Sequence, residues 1–205
     1  DSGESQWITG PEARRDVQRL RAMSCAIVTG IGTVLSDDCS LTVRADELGL
    51  PPEQATLASQ RQPLRVVVDS QLRTPADAKV IDGCAPSLLC HRQGVELPSA
   101  LAAAGVTRLA LKDGAGGLDL PALFDFLNAR QCNEILVESG PRLAGALLQA
   151  GLLDEVIVYM APTLLGSNAR PLLELPLDRM AQKVPLLIED IRKIGNDWRI
   201  TAIPG

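Results

Sequence analysis

A chain of 205 residues, 46% hydrophobic and only 2% aromatic, has material for one large core, and a net charge of −5 leaves neither a basic footprint nor stacking rings for nucleic acid. No apolar run reaches the roughly 20 residues that span a bilayer, and the polar start Asp1-Ser-Gly-Glu-Ser-Gln6 lacks signal-peptide character, so the expectation is a cytoplasmic single domain. Five cysteines without a C-x-x-C pair and one histidine, His91, suggest neither a disulfide framework nor a metal site.

Thr9-Gly-Pro-Glu12 reads as a capping box, with Thr9 as N-cap and Glu12 reaching back, and Val17, Leu20 and Met23 continue one apolar face of a helix over 11–23. Ala26 to Thr29 is a short buried strand that Gly30-Ile-Gly32 turns into a short helical stretch, Thr33 to Asp37. The pattern is not a dinucleotide fingerprint, because Leu35 stands where the third glycine belongs. Leu41 to Arg44 alternates weakly, and 45–62, with Pro51-Pro52, reads as a solvated loop.

Leu64 to Asp69 is the clearest strand and is expected at the centre of the sheet. A strand near Ser87 to Cys90 follows, then a helix-prone Pro98 to Ala104, a strand Arg108 to Leu111, a glycine-rich loop Asp113 to Gly117 and a helix Leu120 to Ala129. His91, at a strand end, is more naturally structural than catalytic.

Ile135 to Val137 is a buried strand ending in Glu138, and Gly140-Pro141 then opens a helix running to about Gln149. Proline at a first helical turn forfeits no bonded donor, and the free amides and positive dipole end beside Glu138 form a socket suited to a phosphate. Leu153 to Met160 is a further strand, and Leu186 to Ile194 with Trp198 to Ile203 flank Gly195-Asn-Asp as a hairpin. Alternating β and α elements with an antiparallel end predict a three-layer α/β fold with a mixed, mainly parallel sheet.

Several segments together are distinctive: Gly3 to Thr9, Arg14 to Gln18 with Arg21, Thr33 to Asp38, Leu41 to Arg44, Val67 to Ser70, Val137 to Pro141 and Ala161 to Gly166. In this order the chain resembles the reductase domain of the bifunctional riboflavin-biosynthesis deaminase–reductases, with a dihydrofolate-reductase-like fold. The resemblance implies NADPH-dependent reduction of 5-amino-6-(5-phosphoribosylamino)uracil at ribose C1′ and a homodimer. It implies substrate contacts at Ser5, Arg21, Leu41, Arg44 and Glu138, with the two arginines on the phosphate, since guanidinium forks suit phosphate oxygens. Glu138 would face the ribosyl chain as the catalytic carboxylate. Trp7, Thr33, Asp37, Ser70 and the run Gly140, Pro141, Arg142, Leu143, Ala144, Gly145 and Ala146 would hold the cofactor.

Family members carry a lysine-bearing strand ahead of Gly3 and usually a zinc deaminase domain before it. The expectation is therefore a reductase domain lacking its first strand, with compromised activity in isolation. Cys39 replaces the proline usual after the paired aspartates. The alternatives are a dihydrofolate-reductase-like enzyme on another substrate, such as a pterin, which has no use for both Arg21 and Arg44, and a noncatalytic nucleotide-binding module.

Overall fold

The structure, a computed structural model, describes residues 7–115, 117–166 and 169–205. Helix α1 (Pro11–Met23) leads into β1 (Ala26–Gly30), α2 (Ile31–Asp37) and α3 (Pro52–Gln60). Then come β2 (Leu64–Val68), β3 (Ser87–Arg92), α4 (Ser99–Ala103), β4 (Thr107–Leu111), the two-residue strands β5 (Asp113–Gly114) and β6 (Gly117–Leu118), and α5 (Leu120–Ala129). The chain ends with β7 (Ile135–Val137), α6 (Pro141–Gln149), β8 (Val156–Met160), β9 (Leu186–Ile194) and β10 (Asp197–Pro204).

Five parallel strands lie in the order β4-β3-β2-β1-β7, with β2 at the centre as its apolar run predicts. Alternation along these strands feeds two cores. Ile27, Val67 and Leu89 face Val34, Val80 and Leu101 on one side. Val28, Val66 and Leu88 face Leu123 and Leu127 of α5 on the other. The antiparallel end is the expected hairpin, β9 with β10, and it takes β8 as a third strand, in the order β8-β10-β9. Among the described residues β7 and β8 are each paired along one edge only, so the parallel and antiparallel parts hydrogen-bond as separate sheets.

Helix α1 ties the two sheets together. Its Asp16 accepts from the Tyr159 hydroxyl at 2.6 Å and pairs with Arg199 at 3.3 Å, while five residues on Arg21 reaches Glu138 beyond β7. The helix bounds follow the sequence, but its cap does not: Gly10 is the N-cap, and its N–H donates to Asp197 Oδ2 of β10 at 2.6 Å. The expected Thr9–Glu12 box is replaced because this remote carboxylate satisfies the entry amide, while Glu12 pairs with Arg15 at 3.7 Å.

The segment read as a solvated loop is the second correction. It holds a helical turn, Ala45–Glu47, and α3, whose Pro52 sits in the first turn where a missing N–H costs nothing. Ala55 packs there with Val43 and Leu48 in a small satellite core.

Candidate functional site

Because the five strands are parallel, Gly30, Asp69-Ser70, Arg92 and Glu138 all emerge at one edge of the sheet, where α/β folds hold ligands. Glu138 is fixed there by one further ladder bond, its N–H donating to Val28 O at 3.0 Å. Arg21 grips this carboxylate with both arms, Nε to Oε1 at 2.7 Å and Nη2 to Oε2 at 2.8 Å, and its Nη1 donates to Thr42 O at 3.2 Å. Burial alone would lower the Arg21 pKa, but the hydrogen bonds and charge of Glu138 outweigh it and hold the guanidinium above its ordinary value. Two residues expected to meet the same substrate thus meet each other.

Arg44 arrives by another route. Gln18, one turn before Arg21 on α1 and buried, accepts from the Arg44 backbone N–H at 3.1 Å and donates to Glu47 Oε2 at 3.0 Å. The Arg44 side chain in turn pairs with Glu47 at 2.7 Å. Leu41 is buried in the core with a left-handed φ of 52°. Asp38, also left-handed at φ 42°, caps α2 and binds Lys79 through both backbone and side chain, each at 3.0 Å. The fully buried Arg65 holds the same loop from below, donating to Ser40 O at 3.3 Å and pairing with Asp82 at 3.0 Å. Burial, with the charges of Asp37 and Glu138 adding, pushes the Cys39 thiol up to about 11, so it stays neutral between them.

On the other flank, Gly140 enters α6 in extended geometry with no side-chain cap, which leaves the first-turn amides open beside Glu138. A Cβ on Gly140 would lie 4.0 Å from Thr33 Oγ1, so two expected cofactor residues share this spot. Arg142 is exposed and has no carboxylate partner among the described residues. The socket ends at the first turn: Leu143 packs toward Gly30, and Gly145 is buried where a Cβ would collide with the carbonyl of Glu174. Gly145 is therefore a close-approach glycine, needed for packing.

Ser70 stands at the end of β2, its carbonyl accepting from Arg92 N–H at 3.1 Å. Beside it Asp69 is fully buried, one oxygen holding Thr74 and the other without a partner among the described residues. Asp37 is exposed at the end of α2. Trp7 is 71% exposed under the Arg14 guanidinium, 4.5 Å from its ring, and so lies at the surface. Ser5 lies outside the described residues. His91 sits within β3, with its Nδ1 against Arg92 O, as a strand histidine.

Gln18 and Glu47 were missed by sequence reasoning. The available signal was spacing: Gln18 and Arg21, like Arg44 and Glu47, stand three apart on helical turns and so share a face.

The model of the RibD C-terminal domain matches residues 1–200. The chain belongs to this family. It is 47% identical over 204 residues to the riboflavin biosynthesis protein RibD of Escherichia coli K12, covering 96% of this chain and 53% of that protein. It is 31% identical over 209 residues to a 5-amino-6-(5-phosphoribosylamino)uracil reductase of Buchnera aphidicola, covering 99% of this chain and 98% of that protein. The solved RibD of Acinetobacter baumannii, form 1, superimposes with a TM-score of 0.83 at 36% identity, covering 100% of this chain and 53% of that one. The chain thus spans about half the length of the RibD relatives, and its fold is the expected dihydrofolate-reductase-like one. No helix among the described residues is long and apolar enough to cross a membrane.

Proposed function

We propose that this chain is the reductase half of a riboflavin-biosynthesis enzyme, reducing 5-amino-6-(5-phosphoribosylamino)uracil to its ribitylamino product with NADPH. The observation that carries this reading is the juxtaposition at the sheet edge: a carboxylate held by an arginine fork on one side, and an uncapped helix start on the other. Family membership, and the name of a relative that this chain covers almost end to end, supply the substrate.

The residues fit the cofactor. The open amides of α6, with Thr33 and Arg142 beside them, suit its negatively charged bridge. Trp7, Asp37 and Ser70 are the further contacts, with Pro141, Leu143, Ala144 and Ala146 shaping the helix start and Gly145 acting through packing. Bound there, a nicotinamide supplies hydride to the sugar.

The chain's own groups do the rest. Opening the ribose moves a proton from the exocyclic nitrogen to the ring oxygen O4′ and leaves an imine at C1′, which then accepts hydride at carbon and a proton at nitrogen. Glu138 is the carboxylate that relays the proton at these atoms, held in one orientation by Arg21. Arg44, with Arg21, Ser5 and Leu41, takes the phosphate end.

We further propose that the working protein supplies a strand to the edges of β7 and β8 that are unpaired among the described residues, and a deaminase domain as in longer relatives. It acts as a homodimer: on β9, Leu187, Ile188 and Ile191 are 62%, 54% and 53% exposed, apolar surface of the kind that an interface covers.

The test is turnover. Mixing the protein with NADPH and the aminouracil should consume the reduced nicotinamide absorbance, and Arg44→Ala should weaken the phosphorylated substrate by about 1.5–3 kcal/mol, the worth of a hydrogen bond to a charged group, with little change in cofactor affinity. Equal loss of both affinities would remove Arg44 from the phosphate.

A further inference from the structure

Both arginines assigned to the substrate phosphate already hold carboxylates: Arg21 is forked onto Glu138 and Arg44 is paired with Glu47. The two pairs differ in how they are held. Glu138 is fastened by two charged hydrogen bonds and a ladder bond, and its Arg21 partner is 12% exposed. Glu47 is the looser acid, with its side chain 38% and that of Arg44 49% exposed, and the pair closes within a single helical turn. Yet Glu47 is not left to wander. The buried Gln18 donates to its second oxygen, and the same amide fixes the Arg44 backbone, so acid and arginine are aimed together. The Glu47 charge also reaches Arg21, where it adds to the effect of Glu138 in raising the guanidinium pKa.

We propose that Glu47 is an internal stand-in for the substrate phosphate, a positioning residue that keeps Arg44 extended toward the site and that an incoming phosphate must displace. This rests on the reading that Arg44 binds phosphate. A phosphate dianion can outbid one partly exposed carboxylate for a guanidinium, because it carries more charge and offers a matching pair of oxygens. A neutral sugar end or a weakly charged one cannot. Glu47 therefore sharpens discrimination for the phosphorylated ligand, at some loss of absolute affinity, through competition and repulsion.

The experiment is carried out on the full polypeptide, with the ribitylamino phosphate product and its dephosphorylated form as non-reacting ligands. Glu47→Gln keeps the Gln18 hydrogen bond and removes the charge. It should tighten the phosphorylated ligand about threefold to tenfold, on the scale of one partly exposed ion pair plus relief of repulsion, with no matching gain for the dephosphorylated one. Glu47→Asp, which keeps the charge, should restore most of the original affinity. Equal weakening of both ligands by Glu47→Gln would mark a purely structural residue and overturn the proposal. If instead Arg44→Ala fails to separate the two ligands, the assignment of Arg44 to phosphate falls, and the competition argument falls with it.

Discussion

Removing Arg21 should be among the most costly single changes at this site, and the cost follows from the geometry. The charge centres of a bidentate pair lie about 4 Å apart, which at an effective dielectric of about 20 corresponds to an attraction of roughly 4 kcal/mol. Side-chain exposures of 12% for Arg21 and 23% for Glu138 admit some water, so the pair lies between an exposed bridge and a buried one. The former is worth under about 1 kcal/mol, and breaking the latter costs about 3–5 kcal/mol. Arg21→Ala should thus lose about 2–3 kcal/mol in urea unfolding followed by far-ultraviolet circular dichroism, most of it from the abandoned Glu138 carboxylate. Adding Glu138→Gln removes that stranded charge, so the double variant should be more stable than the sum of the single losses requires, with a coupling energy of about 1.5–2 kcal/mol. A coupling below about 0.5 kcal/mol would refute the claim that the fork holds Glu138.

Three further outcomes follow from named contacts. Gly145→Ala places a methyl against the backbone of Glu174, which cannot rotate away, and should cost about 2–3 kcal/mol in thermal or urea unfolding; a neutral effect would mean that segment 172–175 does not rest on α6. Asp197→Ala uncouples the Gly10 amide from β10 and should cost about 1–2 kcal/mol, the range of a lost helix cap, with faster amide exchange at the start of α1; unaltered exchange would argue against the remote cap. Burial first, and then the hydrogen bond to Asp16, raise the Tyr159 pKa above its ordinary value near 10, so the native state holds this proton more tightly than the unfolded chain. That contribution is complete below pH 10 and is lost as pH climbs beyond it, so alkaline unfolding should be shallower in Tyr159→Phe than in the parent, and identical slopes would refute it.

Much of the fold was legible because its signals are local. The run Leu64 to Val68 announces a strand buried on both faces, and Gly140-Pro141 announces a helix start, without reference to anything distant. The cap of α1 was not legible, since Asp197 lies 187 residues from Gly10 and no local pattern specifies the meeting. Helix α3 was hidden by Pro51-Pro52, which reads as a breaker, although a proline in a first turn is a helix signal too. At the site, residue types were readable and pairings were not. Arg21 and Glu138, 117 positions apart, were each assigned to a ligand, and only the folded chain reveals that they satisfy each other. Gly145 was read as a cofactor contact through the family resemblance, within the run Gly140 to Ala146, and the packing constraint that Glu174 in a later segment places on it could not be read from that run.

The central claim is that hydride passes to ribose C1′ beside Glu138. Its most direct test is to supply the full polypeptide with NADPH deuterated at the transferring position of the nicotinamide, together with the aminouracil substrate, and to locate the label by mass spectrometry and NMR. The account predicts one deuterium at C1′ of the ribitylamino product, with turnover sharply reduced in Glu138→Gln. Cofactor oxidation that leaves C1′ unlabelled, or full turnover in Glu138→Gln, would contradict it.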